Sequence, residues 1–274
     1  MIELERITSR DNQRLRNARR VRDGKDRELI FIEGVRLVEE ALRSEVEITE
    51  VFMSESFFEK ERNRNLVEAL DTRSHSVSES SEKVFSSIKE TNTSQGIIAL
   101  ARRPKNSQLS LGADIKKRGH CPVILFLDQI NNPSNLGAIV RTAEAAEAIG
   151  VMVSPGSADA YSPKALRASM GSAFRVPIRQ EMVFGDALTY ASENGMKSVA
   201  ADIRGDIAYL EVDWTKPQML IFGSEARGLD EAKREKLDTL TFIPMNENVE
   251  SLNLAVSAGV ILFEARRQNE SKAD

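Results

Sequence analysis

Residues Pro122–Ser154 read "PVILFLDQINNPSNLGAIVRTAEAAEAIGVMVS". The opening "PVILFLD" is apolar without alternation, the pattern of a strand buried on both faces in a parallel sheet covered by helices. The run stops at Asp128, and amides, a hydroxyl, Pro133 and Gly137 follow. A helix is predicted over 135–149, with Leu136, Ile139, Val140 and Ala143 on its apolar stripe, and "GVMVS" is the next strand. Arg141 lies off that stripe. The stretch is a strand–helix–strand unit whose polar loop sits where open α/β sheets bind ligands, beyond the carboxyl end of a strand.

The alternation continues toward the C-terminus. Strands are predicted in "MKSVAAD", "QMLIFGSE" and "TLTFIPM", and helices in "SPKALRASMGSA", "VFGDALTYASENG", "DEAKREKL" and "SLNLAVSAGVILFEARRQN". Residues 120–274 therefore form an α/β domain with a mostly parallel sheet and helices on both faces. Upstream, "ELIFIEG", "EITEVFMS", "SHSVSE" and "QGIIALARR" read as strands. "VRLVEEALRS", "ESFFEKERNRNLVEAL" and "SEKVFSSIKE" read as helices. They make a smaller α/β domain over 1–103. Residues 104–119, polar and bearing Pro, Ser and Gly, read as a linker.

Composition narrows the chemistry. The chain has 274 residues, 41% hydrophobic and 29% charged, with net charge −4, so a polyanionic partner would have to be met by a local basic patch. One cysteine, Cys121, permits no intrachain disulfide, and no signal peptide is visible at the N-terminus, which suits a cytoplasmic protein. The apolar run from Leu252 to Phe263 is shorter than the roughly 20 residues a membrane span needs. His75 and His120 lie in polar surroundings and read as surface residues. With a single cysteine beside them, they cannot form a Cys/His zinc cluster within one chain, and no metal site is expected.

Three strand exits carry unusual polarity: "DQINNPSNLGAIVR", "IFGSEARGL" and "IPMNENVESLN". Taken singly, each has a plain structural reading. Asn135 is a helix N-cap, Gly223 eases a turn, Glu225 is a surface carboxylate, and Ser251 and Asn253 cap the last helix. No G-x-G-x-x-G stands at the first βα turn and no G-x-x-x-x-G-K-[ST] occurs anywhere, which disfavours dinucleotide-binding and P-loop enzymes.

Together, the three loops resemble the motifs of the SpoU/TrmH family of RNA ribose 2′-O-methyltransferases, in order. The first matches through Asn132, Pro133, Asn135, Gly137 and Arg141, and the second through Gly223, Glu225 and Gly228. The third matches through Ile243, Pro244, Met245, Ser251, Leu252 and Asn253. Ser257 stands where relatives often have alanine and Glu147 where many have glycine, both outside the motif core. Over the first domain, "FIEGVRLVEEAL" and "SQGIIALARR" resemble the ribosomal-protein-L30e-like substrate-binding module of that family.

The resemblance implies a C-terminal trefoil knot and S-adenosylmethionine (AdoMet) as cofactor. It places Gly223, Ile243, Met245 and Leu252 against AdoMet, with the apolar three suited to wall an adenine. It makes Arg141 essential to attack by the ribose 2′-hydroxyl, as base or as electrostatic stabiliser. A guanidinium is charged at ordinary pH, so the first role would require it to give up that charge. Asn135 and Glu225 would position Arg141 and the ribose, and Ser251 and Asn253 would fix the third loop and contact substrate.

Family members are homodimers. "LNLAVSAGVILF", apolar around nearly its whole circumference, suits a helix covered partly by a second subunit. Phosphate contacts to RNA are expected from Arg14, Arg16, Arg19 and Arg20 in the basic N-terminal stretch and from Arg102 and Arg103. The expected substrate is large-subunit ribosomal RNA. A transfer-RNA enzyme, an antibiotic-resistance rRNA methyltransferase and a non-catalytic RNA-binding protein of the same fold are the alternatives.

Overall fold

The computed structural model describes residues 5–71, 76–104 and 122–270. His75, His120 and Cys121, and the linker apart from Pro104, lie outside them. The chain divides into two compact units, one of Met1–Pro104 with Tyr161–Phe174, the other of Lys105–Ala160 with Arg175–Asp274. The excursion at Tyr161–Phe174 interrupts the second unit where the sequence suggested an unbroken domain.

The first unit holds a five-stranded sheet in the order β1-β4-β3-β5-β2. Its strands are β1 (Glu5–Ile7), β2 (Leu29–Glu33), β3 (Ile48–Ser54), β4 (Val77–Ser80) and β5 (Ile97–Arg102). β5 runs antiparallel to β2 and β3, and β4 runs parallel to β1 and β3. Helix α1 (Gln13–Arg22) buries Leu15, Ala18 and Val21 beside Phe31, Phe52, Phe85 and Leu100. Helix α2 (Val35–Arg43) follows Gly34, whose φ of +102° lets the chain turn out of β2.

The expected helix at 55–70 is broken into α3 (Glu55–Phe58), a 3₁₀ turn (Glu61–Asn63) and α4 (Arg64–Asp71). Buried Asn63 explains the break. Its amide donates to the Phe57 carbonyl at 2.7 Å, an acceptor that a continuous helix would give to the backbone. Helix α5 (Glu82–Phe85) is one turn long, and most of the expected helix there is loop.

The second unit holds a seven-stranded sheet, parallel throughout, in the order β10-β12-β9-β11-β6-β7-β8. The strands are β6 (Val123–Leu127), β7 (Gly150–Val153), β8 (Ile178–Arg179), β9 (Lys197–Ala201), β10 (Ile207–Ala208), β11 (Gln218–Phe222) and β12 (Thr239–Phe242). β6, β7 and β11 are buried at every position, as non-alternating apolar runs require. Helices α6 (Pro133–Ala145), α7 (Pro163–Ser169), α8 (Phe184–Glu193), α9 (Glu231–Arg234) and α10 (Leu254–Glu270) complete the element order. α7 belongs to the excursion grouped with the first unit.

α6 has well-formed ends. Asn132 is the N-cap, accepting from the Ser134 N–H at 3.0 Å, with Pro133 at the first helical position. Asn135, expected to cap, lies inside the first turn and is free for other partners. At the far end, Ala148 N–H reaches the Ala143 carbonyl and Glu147 N–H the Glu144 carbonyl. Glu147 is left-handed at φ +60°, which makes this a Schellman ending.

α10 packs on α6, with Gly259 opposite Thr142 and Arg266 donating to the Ala145 carbonyl at 2.7 Å. Ala258, Ile261, Leu262 and Ala265 are buried, while Val256 and Phe263 are 52% and 50% exposed.

Candidate active site

The neighbouring strands β12, β9, β11 and β6 end side by side, and the loops leaving them bring the polar exits together. Glu225, after β11, accepts from the backbone N–H groups of Asn131 and Asn132, each at 3.3 Å. It also accepts from the Asn135 side-chain amide at 3.3 Å. Asn135 Oδ1 in turn accepts from Asn253 Nδ2 at 3.2 Å. Asn253 Oδ1 accepts from the Ala255 N–H at 2.9 Å and caps α10. Ser251 makes no such cap; the sequence had offered both residues for that role.

Chemistry fixes the direction of this chain of bonds. A carboxylate only accepts, so Asn135 must turn its NH₂ to Glu225 and its oxygen to Asn253. Asn253 then presents its NH₂ to Asn135 and keeps its oxygen for the positive end of α10. One charge therefore orients two amides and ties the three loops together.

Beside this network lies a cleft of about 620 Å³. Gly223, Ile243, Met245, Ser251 and Leu252 line it, together with Asn135, Glu225 and Asn253. Ile243 and Met245 are half-buried and Leu252 is 36% exposed, so apolar surface faces the opening. Gly223 is needed for a reason the sequence did not show. A Cβ there would stand 2.2 Å from the Gly228 carbonyl carbon and 2.4 Å from the Leu229 nitrogen. The loop folds back on Gly223 through paired Ser224–Gly228 backbone hydrogen bonds of 3.2 and 2.8 Å. The glycine admits its own loop.

Two parts of the lining escaped the sequence reading. Asp202, Ile203 and Arg204, after β9, border the cleft. Asp202 accepts from the Arg204 backbone N–H at 2.9 Å and pairs with buried Arg234 at 3.4 Å. Ser257, set outside the motif core by sequence, also lines the cleft.

Arg141 is exposed on α6, six residues beyond Asn135, and is not among the residues lining the cleft. Its guanidinium has no hydrogen-bond or ion-pair partner among the described residues. Beneath the loops, buried Asp128 pairs with Lys233 at 2.5 Å and fixes the exit of β6 against α9.

The N-terminal arginines are largely engaged within the first unit. Arg14 pairs with Glu50 and, at 2.7 Å, with Glu5, and lies over the Phe52 ring. Arg19 donates to the Arg10 carbonyl at 2.9 Å and Ser87 Oγ at 3.2 Å. Arg16 donates to the Asp11 carbonyl at 2.9 Å yet remains exposed, as does Arg20. Arg102 pairs with Glu47 at 2.9 Å, and Arg103 is half-buried.

Residues 122–263 match the SpoU rRNA Methylase family, and residues 12–99 match the MRM3-like substrate binding domain. The chain is 30% identical to the 23S rRNA (guanosine(2553)-2′-O)-methyltransferase RlmP of Bacillus subtilis, covering 96% of this chain and 100% of that protein. It is 30% identical to the 23S rRNA (guanosine-2′-O-)-methyltransferase RlmB of Shewanella oneidensis, covering 90% and 100%. The AdoMet-bound rRNA methyltransferase from Sinorhizobium meliloti superposes with a TM-score of 0.80 at 29% identity, covering 96% of this chain and 98% of that one. The SpoU methyltransferase AviRb from Streptomyces viridochromogenes, in complex with AdoMet, gives 0.82 at 25% identity, covering 95% and 99%. With its motif loops joined at one end of a parallel sheet and its sequence matched over both units, this chain belongs to the SpoU rRNA methylase family.

Proposed function

We propose that the protein is an AdoMet-dependent methyltransferase that modifies a ribose 2′-hydroxyl of large-subunit ribosomal RNA. The observation that carries this reading is the Glu225–Asn135–Asn253 chain, which joins three motif loops beside a cleft of cofactor size. The 23S rRNA activities in the names of RlmP and RlmB supply the substrate class.

The cleft suits AdoMet. Ile243, Met245 and Leu252 offer apolar surface for an adenine, and the loop folded onto Gly223 offers fixed backbone groups. Bound there, AdoMet supplies an electrophilic methyl group. The chain's own residues must hold the ribose and ease the loss of its proton, because a ribose hydroxyl is a weak nucleophile near neutral pH. Asn135 and Glu225 set the first loop, and Ser251 and Asn253 set the third. Arg141, charged and exposed, stabilises negative charge on the 2′-oxygen and holds the neighbouring phosphate.

The active form in this reading is a homodimer. Exposed Val256 and Phe263 of α10 lie on the helix that packs against α6, and Arg141 stands clear of its own chain's cleft. A second copy covering that face would bury the apolar side chains and bring Arg141 toward a cleft. Threading of the C-terminal segment as a trefoil knot fits the return of Asn253 from beyond β12 to Asn135 after β6. Residues 1–103 serve as the RNA-binding domain, 104–119 as a linker and 120–274 as the catalytic domain, with Arg16 and Arg20 the most accessible of the N-terminal basic candidates. The protein acts in the cytoplasm. No described helix is long and apolar enough to cross a membrane.

The test is methyl transfer from labelled AdoMet to total RNA, with the modified ribose mapped, beside calorimetry of AdoMet binding. Binding and a single labelled ribose in large-subunit rRNA are expected. Absence of AdoMet binding overturns the enzyme reading, and label confined to tRNA overturns the substrate. Arg141→Ala should lower transfer at least about 100-fold while AdoMet affinity and thermal stability stay at wild-type values. Normal turnover by that variant removes Arg141 from the site.

A further inference from the structure

The first unit contains a second built pocket, of about 470 Å³, far in sequence from the motif loops. It lies between the exit of β3, the broken helix at 55–63, α5 and the loop 86–96. Its walls are fixed by internal bonds. The buried Glu33 carboxylate accepts from Glu90 N–H at 3.0 Å, Thr91 N–H at 3.1 Å and Thr91 Oγ1 at 2.7 Å, pinning the loop from behind. Gln95 Oε1 accepts from Val35 N–H at 2.8 Å. Gly96, at φ +86°, presses so closely that a Cβ would stand 2.6 Å from Ser54 Oγ and 2.9 Å from Phe57 Cβ. A cavity shaped this way spends little free energy on ordering when a ligand arrives.

Its chemistry differs from that of the motif cleft. Lys60, Arg62 and Lys89 line it, and Glu82 is the sole carboxylate among the described lining residues. A local excess of positive charge therefore stands out in a chain of net charge −4. The side-chain cations of Lys60 and Arg62 donate no hydrogen bond to any described residue and are exposed, and the Lys89 ammonium donates to the Asn92 carbonyl at the rim at 3.1 Å, whereas Arg14 and Arg19 are committed inside the unit. Asn92 and Thr93 are exposed at the rim. Glu82 is held from one side by Ser56, whose Oγ donates to Oε1 at 2.5 Å. Cations suit phosphate, and a side-chain amide beside a held carboxylate suits the edge of a base. The volume lies in the range of about 300–1,000 Å³ that encloses one small ligand and is too small for a helical stem.

We propose that this pocket receives a single unpaired nucleotide of the RNA substrate, its phosphates on Lys60, Arg62 and Lys89 and its base edge on Asn92 and Glu82. The inference rests on the reading of the protein as an RNA methyltransferase. It makes the first unit a reader of a loop or bulge, with recognition centred on one extruded base.

The experiment uses the full chain and unmodified large-subunit rRNA made by transcription. K60A/R62A/K89A should raise the Kd and the KM for RNA about 10- to 100-fold and flatten the salt dependence of binding. Each lost phosphate contact to a single strand removes roughly 0.7 from the log–log slope. AdoMet affinity, set in the other unit, reports that the variant is folded. Ultraviolet crosslinking of the wild-type complex, read by mass spectrometry, should place nucleotide adducts in peptides 54–63 and 86–96, and it decides the matter if the triple variant fails to fold. Wild-type methylation with unchanged RNA affinity and salt slope in the triple variant, or adducts only elsewhere, overturns the pocket and leaves the enzyme reading intact. A wild-type protein that neither binds nor methylates RNA overturns the enzyme reading, and the pocket's role with it.

Discussion

Gly223 and Glu147 show how a single backbone position limits the site. A methyl group on Gly223 would sit inside van der Waals contact of the Gly228–Leu229 peptide, which is backbone and cannot rotate away. Gly223→Ala should therefore displace the loop that carries Glu225, cost about 1–3 kcal/mol in urea unfolding, and weaken AdoMet binding measured by calorimetry. Full AdoMet affinity in that variant would show that the loop does not shape the cleft. Glu147 presents the opposite case. It occupies a left-handed position at φ +60° that ends α6, where a β-carbon is strained. Its ion pair with Arg266 is long, at 3.8 Å, and 44% exposed on the glutamate side, so it offsets little. Glu147→Gly should stabilise the protein by about 0.5–1 kcal/mol, seen as a raised thermal midpoint with unchanged methyl transfer. A lowered midpoint would mean that the ion pair outweighs the strain.

The loops after β6, β11 and β12 act as one unit because Glu225 is an obligate acceptor. Glu225→Gln would let either face of the amide turn toward Asn135, so the direction of the Asn135–Asn253 bond is no longer imposed. The variant should lose about 1 kcal/mol of stability. It should also lose about 10- to 100-fold in methyl transfer at saturating RNA and AdoMet, because the loops lose their common register. Wild-type rate would assign Glu225 to loop structure alone. Much of this arrangement was legible in the sequence. An unalternating apolar run marked β6, the strand pattern of "QMLIFGSE" marked β11, and the polar residues at their exits marked the loops. What sequence could not supply was adjacency. Asp202 and Arg204 follow β9, and only the strand order β12-β9-β11 places that exit in the cleft. Periodicity also cannot register strands of two or three residues, so β1, β8 and β10 were missed. The break at 55–63 depends on where the Asn63 side chain finds an acceptor, and Asn132 took the cap assigned to Asn135 because Pro133 begins the helix two residues before the expected start.

Charge and burial together set the response of the protein to pH. Among the described residues, four carboxylates are held below their ordinary range: Glu82 by the Ser56 hydroxyl, Asp213 by Thr215 to about 2, Asp238 by Ser198, and Glu264 by Arg267. Each binds its proton more weakly in the folded chain than in the unfolded one. Their stabilisation is therefore complete above the unfolded values near 4 and disappears as pH falls through the lower folded values. Tyr190 shifts the other way, raised to about 12 by burial, so its contribution persists up to about pH 10 and is lost above it. Asp213, Asp238 and Glu264 all lie in the second unit, which also holds the single tryptophan. Trp214 is fully buried, with its indole N–H on the Tyr209 carbonyl at 2.8 Å and its backbone carbonyl accepting from Asn269 on α10 at 3.0 Å. Tryptophan fluorescence thus reports the packing of α10 against this unit. Urea midpoints followed at Trp214 should be level between about pH 5 and 8, and fall steadily from about pH 4 toward pH 2. Asp238 accepts from Ser198 N–H at 2.8 Å and Ser198 Oγ at 2.7 Å, joining the start of β9 to the approach to β12. Asp238→Asn should lower stability by about 1 kcal/mol at pH 7 and make the acid limb shallower, because one depressed group no longer takes up a proton on unfolding. An acid limb of unchanged slope in that variant would place the acid sensitivity in the remaining carboxylates.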